Sequence, residues 1–242
     1  MNTYRKTAII VGVLYIIGTV AGVLSVIVTG PILGASDYLA KVAANPNQLT
    51  TGALLVLLMG LPLAMVPVML FPIFRKMNEV LAVGYVVFRG ALETAIYIAS
   101  IITWIFLSIV GRDYAAAGAP GASYFQVLGS VLKEGHDSIT PVLVIVFSLG
   151  ALMLYYLLYR SKLIPRWISG WGVIAILLHL ATGFLIMFQL QTAFSPVNMA
   201  MNLPIGLQEM VMAVWLIAIG FNPSAIASLS AKTATNAPLS AA

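Results

Sequence analysis

Long apolar runs, each bounded by charged or turn-forming residues, constrain this chain more than any other feature. The hydrocarbon core of a bilayer is about 30 Å thick, so an α-helix rising about 1.5 Å per residue needs about 20 mainly apolar residues to cross it. Such runs lie at about residues 7–29, 51–74, 80–110, 138–159, 167–190 and 203–221. The sequence therefore predicts an all-α polytopic membrane protein, in which residues 1–222 form one bundle of six transmembrane helices.

The composition excludes the other broad classes of protein. Hydrophobic residues make up 61% of the chain and charged residues 8%, about a third of the roughly 25% that is usual in soluble domains. A disordered chain would need low hydrophobicity and high charge. The chain contains no cysteine, so it is not a disulfide scaffold.

The distribution of cations predicts the orientation, because Lys and Arg in short loops are retained on the cytoplasmic side. With the amino terminus inside, three cations lie outside, Lys41, Arg112 and Lys133, and Arg89 lies within a span. The other eight lie inside: Arg5, Lys6, Arg75, Lys76, Arg160, Lys162, Arg166 and Lys232. We therefore expect a multi-pass protein of the cell (inner) membrane with both termini cytoplasmic. Contact with anionic lipids accounts for the net charge of +5, so the partners expected are membrane lipids and not nucleic acid.

The segments outside the spans lead to four further expectations. The first apolar run exceeds 20 residues, longer than the apolar region of a signal peptide, and this favours a retained anchor over a cleaved leader. Residues 36–44 and 124–133 could each form a short helix on the outer surface. Residues 115–122, AAAGAPGA, have the composition of a flexible linker. The Ser-, Ala- and Thr-rich tail, residues 223–242, is predicted to be disordered and cytoplasmic.

Four ionisable residues lie inside the predicted spans: Arg89, Glu93, His179 and Glu209. Inserting a charged residue at the centre of a transmembrane helix costs at least about 2.5–3.5 kcal/mol, so each of the four needs a partner or a function. Arg89 and Glu93 are four residues apart and share a helix face. That face continues through Tyr97, Ser100 and Trp104.

The depth of these residues follows from counting along each span. Glu93, His179 and Glu209 come out about 18–21 Å from the inner surface, and Arg89 about 13 Å. If the third, fifth and sixth spans are neighbours, these side chains meet in one buried polar site, which Tyr97 extends.

Three interpretations of this cluster are open. Arg89 could pair with Glu93 or Glu209, with His179 completing a network that only holds the helices in register. Two carboxylates facing one arginine could instead leave an excess negative charge that binds a cation or a proton. In the third interpretation, Arg89 anchors an anionic group of a substrate.

Two other patterns are compatible with a cavity at this depth. Pro62, Pro67 and Pro72 lie in the second span, and Pro62 and Pro67 are predicted to kink it. Small residues lie on the His179 face of the fifth span and the Glu209 face of the sixth, and close helix packing explains them better than a substrate path. They are Gly172, Ala175, Thr182, Gly206 and Ala213.

Signals for enzymes and metals are weak. Glu134, His136 and Asp137 precede the fourth span, where a solvated helix cap with Asp137 near the amino end is favoured over a metal site. The zinc-protease, serine-hydrolase and phosphate-loop motifs are missing from the sequence. We therefore predict no catalytic residue, no metal and no cofactor, and an intramembrane enzyme using Glu and His as acid and base is the third hypothesis.

Four segments resemble a bacterial and archaeal family of integral membrane proteins without an assigned activity, domain of unknown function 4386. They are RKTAIIVGVLYIIGTVAGV, GYVVFRGALE, LLYRSKLIPRWISGWGVIA and LPIGLQEMVMAVWLIAIGFNP. The resemblance spans nearly the whole chain and implies the same membrane fold. It also implies an arginine in the third span followed by a glutamate, often three positions later, whereas Glu93 follows Arg89 by four.

The hypothesis drawn from the sequence is binding or transport of a small molecule or ion at a buried polar site. The site residues proposed are Arg89, Glu93, Tyr97, His179 and Glu209. Proton coupling, with Glu93 or Glu209 as carrier, is part of this hypothesis. The alternative is a non-enzymatic membrane scaffold or sensor whose buried charges form a structural ion-pair network.

Overall fold

The computed structural model describes residues 2–193 and 195–235, and the regular secondary structure in these ranges is helical. The elements are α1 (Thr3–Leu33), α2 (Tyr38–Ala44), α3 (Pro46–Phe74), α4 (Glu79–Tyr85), a π-helical segment (Val86–Leu92), α5 (Glu93–Ser161), α6 (Arg166–Met187), α7 (Pro196–Ala218) and α8 (Pro223–Thr235). The helix of α4 continues without a break through the π-helical segment into α5.

Within the described ranges, six stretches of helix are long and apolar enough to cross a membrane. They are Thr3–Leu33, Pro46–Phe74, Glu79–Gly118, Gly121–Ser161, Arg166–Met187 and Pro196–Ala218. This confirms the predicted all-helical, six-span fold. The end of the bundle that carries Arg5, Arg75 and Arg160 is called the basic end below, and the half of the bundle away from it is called the outer half.

The third and fourth spans form one long helical hairpin. Helical geometry is interrupted at Gly118, where φ is 63° and ψ is −175°. The two arms run antiparallel, since Gly84 lies beside Met153 and Thr103 Oγ1 lies 3.2 Å from His136 Nδ1. The arms contain 40 and 41 residues, about 60 Å each, so they extend well beyond a bilayer core of about 30 Å.

The hairpin corrects several expectations for the outer segments. Apart from Gly118, residues 111–137 are helical, so the predicted linker at 115–122 and the separate helix at 124–133 are wrong. Alanine favours helix strongly, and five of the eight residues in AAAGAPGA are alanine. The predicted helix at 36–44 is present as α2, which packs on the hairpin through Leu39 against Gly129 and Val42 against Gly111.

The outer polar cluster is likewise not a helix cap. Asp137 lies inside the fourth span, and its carboxylate is 3.0 Å from Lys133 Nζ. His136 stacks on Trp104, with ring centroids 5.0 Å apart. The described ranges contain no group of three His, Asp or Glu side chains that could hold a metal ion.

The spans are arranged in a ring. Following the principal contacts, α1 packs on α3, α3 on the third span, the fourth span on α6, α6 on α7, and α7 on α1. The fifth and sixth spans are therefore neighbours as assumed, but the third span is not a principal neighbour of the sixth. Side chains must reach across the centre of the ring to join them.

The sixth span begins earlier than predicted. Ser195 caps α7 by accepting a hydrogen bond from the backbone N–H of Asn198 at 3.2 Å, and Pro196 occupies the first helical turn. Proline is favoured there because its missing N–H would have no partner in the helix. Pro204, expected in the first turn, thus lies inside the helix, and the span extends seven residues further out than expected.

Arg5 joins the first and last spans at the basic end. Its guanidinium donates hydrogen bonds to the carbonyls of Leu216, Ile217 and Ala218 at 3.0, 2.6 and 3.1 Å. These are carbonyls of the last turn of α7, which lack partners within the helix and carry its negative partial charge. Arg5 therefore caps α7 from another helix.

Arg5→Ala is expected to lower the free energy of unfolding by about 1.5–3 kcal/mol, the range for hydrogen bonds made by a charged group. Equilibrium unfolding in mixed detergent micelles measures this change. Lys6→Ala, at the neighbouring exposed position, is the control and should change stability by less than about 0.5 kcal/mol. Equal effects of the two substitutions would contradict the capping role.

The predicted disordered tail is partly wrong. Residues 223–235 form α8, and Ala225 and Leu229 are buried in the same apolar core as α1 and α7. The backbone N–H of Asn222 also donates to the carbonyl of Leu163 at 2.9 Å. Apolar residues four apart, as these two are, lie on one helix face, which explains the docking. Residues 236–242 of that prediction lie outside the described ranges.

Candidate functional site

The π-helical segment carries Arg89 into the centre of the ring. Its wider turn is shown by the backbone N–H of Glu93, which donates to the carbonyl of Phe88, five residues back. Gly150 of the fourth span faces this segment, and a Cβ there would lie 3.2 Å from the backbone nitrogen of Arg89. Such π-helical turns are uncommon and frequently occur at functional sites.

The third span lies against α3 on its other side. Gly90 faces Pro67, with 3.6 Å between the position of a Gly90 Cβ and Pro67 Cγ. α3 continues as one helix through Pro62, Pro67 and Pro72, so the prolines predicted to kink it do not break it. Pro67 packs against Gly90, the residue that follows Arg89.

Arg89 and Glu93 form a buried ion pair. Arg89 Nη1 lies 2.9 Å from Glu93 Oε1 and 3.0 Å from Oε2, and the two side chains are 3% and 1% exposed. The hydroxyl of Tyr97 donates to Glu93 Oε1 at 2.7 Å. The carboxylate of Glu93 is therefore bound by three charge-assisted hydrogen bonds.

Glu209 approaches the same guanidinium from the opposite side of the ring. Its Oε1 lies 3.5 Å from Arg89 Nη2, and its side chain is 13% exposed. Among the hydrogen bonds of the described residues, none involves the Glu209 carboxylate. Glu209 is thus the loosely held and most accessible member of the three charges.

The early start of α7 explains why Glu209 meets Arg89. Counted from the basic end, Glu209 lies nine residues before the end of α7 at Ala218, about 14 Å deep, and Arg89 lies ten residues after the start of α4, about 15 Å deep. The predicted depth of about 21 Å for Glu209 is therefore wrong. It was counted from a helix start seven residues too late.

Aromatic rings enclose the guanidinium. The ring centroids of Phe147 and Tyr15 lie 4.4 and 6.0 Å from Arg89 Cζ, within cation–π range. The hydroxyls of Tyr15 and Tyr85 are 3.3 Å apart and share a hydrogen bond. These rings exclude water from the guanidinium, so the attraction between Arg89 and its carboxylates is stronger than in water.

His179 lies beside this cluster and not within it. Its ring packs edge-on against Phe147, whose ring also lies against Arg89, with the two centroids 5.1 Å apart. His179 Nδ1 hydrogen-bonds with Asn202 Oδ1 at 2.6 Å, and Thr182 donates to the same oxygen at 3.1 Å. The structure thus brings together Arg89, Glu93, Tyr97 and Glu209, while His179 belongs to a neighbouring polar group.

Sequence reasoning missed Gln208, which adjoins Glu209. The Gln208 side chain is fully buried, accepts a hydrogen bond from Tyr155 Oη at 2.6 Å and donates to the carbonyl of Ile168 at 3.0 Å. It thereby links the fourth, fifth and sixth spans. The signal in the sequence is an uncharged amide side chain inside an apolar helix.

Gln208→Leu is expected to reduce the free energy of unfolding by about 1–3 kcal/mol, because it leaves the buried Tyr155 hydroxyl without its acceptor and removes the hydrogen bond to the Ile168 carbonyl. Equilibrium unfolding in mixed micelles is the measurement. Gln126→Leu, at an exposed position of the hairpin, is the matched control. The double variant Gln208→Leu with Tyr155→Phe should lose less free energy of unfolding than the two single variants together. Strictly additive losses would contradict the hydrogen bond between Tyr155 and Gln208.

The charges of the cluster do not balance. One guanidinium faces two carboxylates, all far inside the bundle. Burying an uncompensated charge is expensive, so this arrangement favours a proton or another cation beside the carboxylates.

The interior around the cluster is tightly packed. One cavity of about 10 Å³ lies towards the basic end, with Tyr15, Met212 and Phe221 in its lining. Another of about 10 Å³ lies in the outer half beside Trp104 and His136. Each has room for about one water molecule, and neither is lined by Arg89, Glu93 or Glu209.

Comparisons with known proteins place this architecture in a family. Residues 10–220 match the family model described as Domain of unknown function (DUF4386). Neither curated proteins nor solved structures gave a match. The matched range includes Arg89, Glu93, His179 and Glu209, and it covers most of the chain. The protein therefore belongs to the DUF4386 family, as the resemblance of its sequence indicated.

Proposed function

We propose that this multi-pass membrane protein binds a cationic species at the Arg89–Glu93–Glu209 cluster and transports it, with Glu209 as the group that exchanges the cation. The observation that carries the proposal is the inequality of the two carboxylates. Glu93 is held by Arg89 and Tyr97, whereas Glu209 is 3.5 Å from Arg89 and partly exposed. A loosely held carboxylate can exchange a proton or a cation without dismantling the ion pair beside it.

The same geometry argues against two of the other hypotheses. Arg89 faces a carboxylate on each side, so an anionic substrate would have to displace one and approach the other against its charge. His179 hydrogen-bonds with Asn202, and neither glutamate is a hydrogen-bond partner of it in the described ranges. An acid–base enzyme pairing His179 with Glu93 or Glu209 is therefore disfavoured.

The structural interpretation is the second candidate, and the tight packing favours it. A network that serves only as scaffold would keep Arg89, Glu93 and Glu209 in fixed charge states and would exchange nothing with the solvent. The two candidates thus differ in whether the Glu209 carboxylate binds and releases a proton or another cation.

The test is infrared difference spectroscopy of the protein in lipid nanodiscs, recorded between acidic and alkaline buffer. We expect a carbonyl stretch from a carboxylic acid that exchanges its proton with the buffer and is lost in Glu209→Gln. Glu134→Gln removes an exposed carboxyl group and should leave the band in place. A band that persists in Glu209→Gln, or no exchangeable buried carboxyl group at all, would overturn the proposal in favour of the scaffold.

A further inference from the structure

The first and last spans converge at the basic end of the bundle. Arg5 binds the last carbonyls of α7, as described above. About two turns further in, Gly12 lies so close to α7 that a Cβ there would be 2.6 Å from the carbonyl oxygen of Ala213. This half of the α1–α7 contact is closed.

In the outer half, α1 packs on α3 instead. A Cβ at Gly18 would meet Leu63, and one at Gly22 would meet Met59, both side chains of α3. The hydroxyl of Ser25 also donates to the carbonyl of Gly52 at 3.1 Å. The outer half of α1 is therefore held on α3.

The outer half of α7 is held on the other side, by α6. Asn202 of α7 hydrogen-bonds with His179 and accepts from Thr182, both on α6. The two helices that touch at Gly12 thus follow different neighbours further out.

In the outer half, one residue of each helix on the face that binds the other is uncovered. A Cβ at Gly206 of α7 would have nothing within 4 Å. Val23 of α1 is 54% exposed, although it lies 18 residues, about five helical turns, from Arg5 and hence on the same face that binds α7. Glu209 lies one turn of α7 from Gly206, towards the basic end, and is the accessible carboxylate of the cluster.

We propose that the outer halves of α1 and α7 leave an opening between them, and that this opening admits a single-chain amphiphilic cation from the membrane to Glu209. This inference rests on the proposed function and names the class of its ligand. The cationic head complements the excess negative charge of the cluster. The apolar chain suits the outer halves of these helices, where the apolar side chains Val23, Leu203 and Leu207 are 54, 60 and 51% exposed.

An inorganic metal cation fits the opening less well. Hard cations such as Ca²⁺ take about six to eight oxygen ligands. The exposed side chains Val23, Leu203 and Leu207 supply no such oxygen, and Glu209 supplies a single carboxylate. A quaternary ammonium head needs no such set of ligands.

The test measures binding of octyltrimethylammonium to the protein in nanodiscs of zwitterionic lipid, with empty nanodiscs as the background. We expect saturable binding that is at least tenfold weaker in Gly206→Leu, which fills the opening, and in Glu209→Gln. Gly30→Leu is the matched control because a Cβ at Gly30 also meets nothing within 4 Å. It should bind as the unchanged protein does. Octanesulfonate, which has the opposite charge, should not bind.

A second measurement keeps the test decisive if Gly206→Leu is unstable. The chain contains no cysteine, so Gly206→Cys introduces a single thiol. Octyltrimethylammonium should slow its modification by a thiol reagent at least tenfold, and octanesulfonate should not.

The possible failures are distinguishable. Unchanged octyltrimethylammonium binding in Gly206→Leu, or no protection of Gly206→Cys, would overturn the entry route while the infrared result for Glu209 still decides the proposed function. Equal binding of octanesulfonate would overturn the cationic class of ligand. The infrared band could be lost in Glu209→Gln, as the proposed function expects, while that variant binds octyltrimethylammonium as the unchanged protein does. That pair of results would support the proposed function and overturn this inference.

Discussion

Arg89→Ala is expected to lower the free energy of unfolding by about 3–5 kcal/mol, because it leaves two carboxylates without their cation inside the bundle. Arg89 is 3% exposed and contacts both Glu93 and Glu209. Removing the Arg89 side chain also removes its contacts with the rings of Phe147 and Tyr15. Equilibrium unfolding in mixed detergent micelles, followed by circular dichroism, measures the change.

Two further variants separate the lost charge from the lost volume. Arg112→Ala removes an arginine that is 74% exposed beside Asp113 and should change stability by less than about 1 kcal/mol. Arg89→Met combined with Glu93→Gln and Glu209→Gln replaces the ionic set by neutral groups and should recover much of the loss. A triple variant as unstable as Arg89→Ala would show that packing, and not charge, dominates at Arg89.

Gly12→Leu is expected to destabilise the protein by at least the upper part of the range of about 1–3 kcal/mol found for overpacked cores. A Cβ at Gly12 would lie 2.6 Å from the carbonyl oxygen of Ala213 and 2.7 Å from Ile217 Cγ1. The first of these atoms belongs to the backbone of α7, so a rotamer change cannot relieve the contact. The two helices would have to separate, which would also disturb the Arg5 cap.

Gly206→Ala is the control for this prediction, because it adds a Cβ to α7 where nothing lies within 4 Å. It should be neutral or stabilising by up to about 1 kcal/mol, since alanine restricts the unfolded chain more than glycine. Adding Ile217→Ala to Gly12→Leu should restore little of the stability. Full restoration would mean that the side chain of Ile217 sets the helix separation, and not the backbone of α7.

Much of the fold could be predicted because the bilayer imposes a simple rule on the sequence. Apolar runs of about 20 residues indicate spanning helices whatever their neighbours are. The rule says little about where a helix ends outside the hydrocarbon. For that reason the helical hairpin was predicted as two spans and a loop, and α8 as disorder.

Part of the candidate site could be predicted for the same reason. A charge inside an apolar helix stands out by itself, so Arg89, Glu93 and Glu209 were singled out from the sequence. The predicted start of α7 was seven residues too late because Ser195 and Pro196 follow a polar stretch that resembles a loop. The π-helical turn and the position of His179 behind Phe147 depend on packing between spans, which a single sequence does not reveal.

The length of the helical hairpin makes it a mechanical lever. From Arg89 to the bend at Gly118 there are 29 residues, about 44 Å of helix. If the arm tilts as a rod, a tilt of only about 5° at the level of the ion pairs displaces the bend by about 4 Å. Any tilt of the hairpin at the ion pairs would therefore be amplified towards the bend, where spin labels would report it.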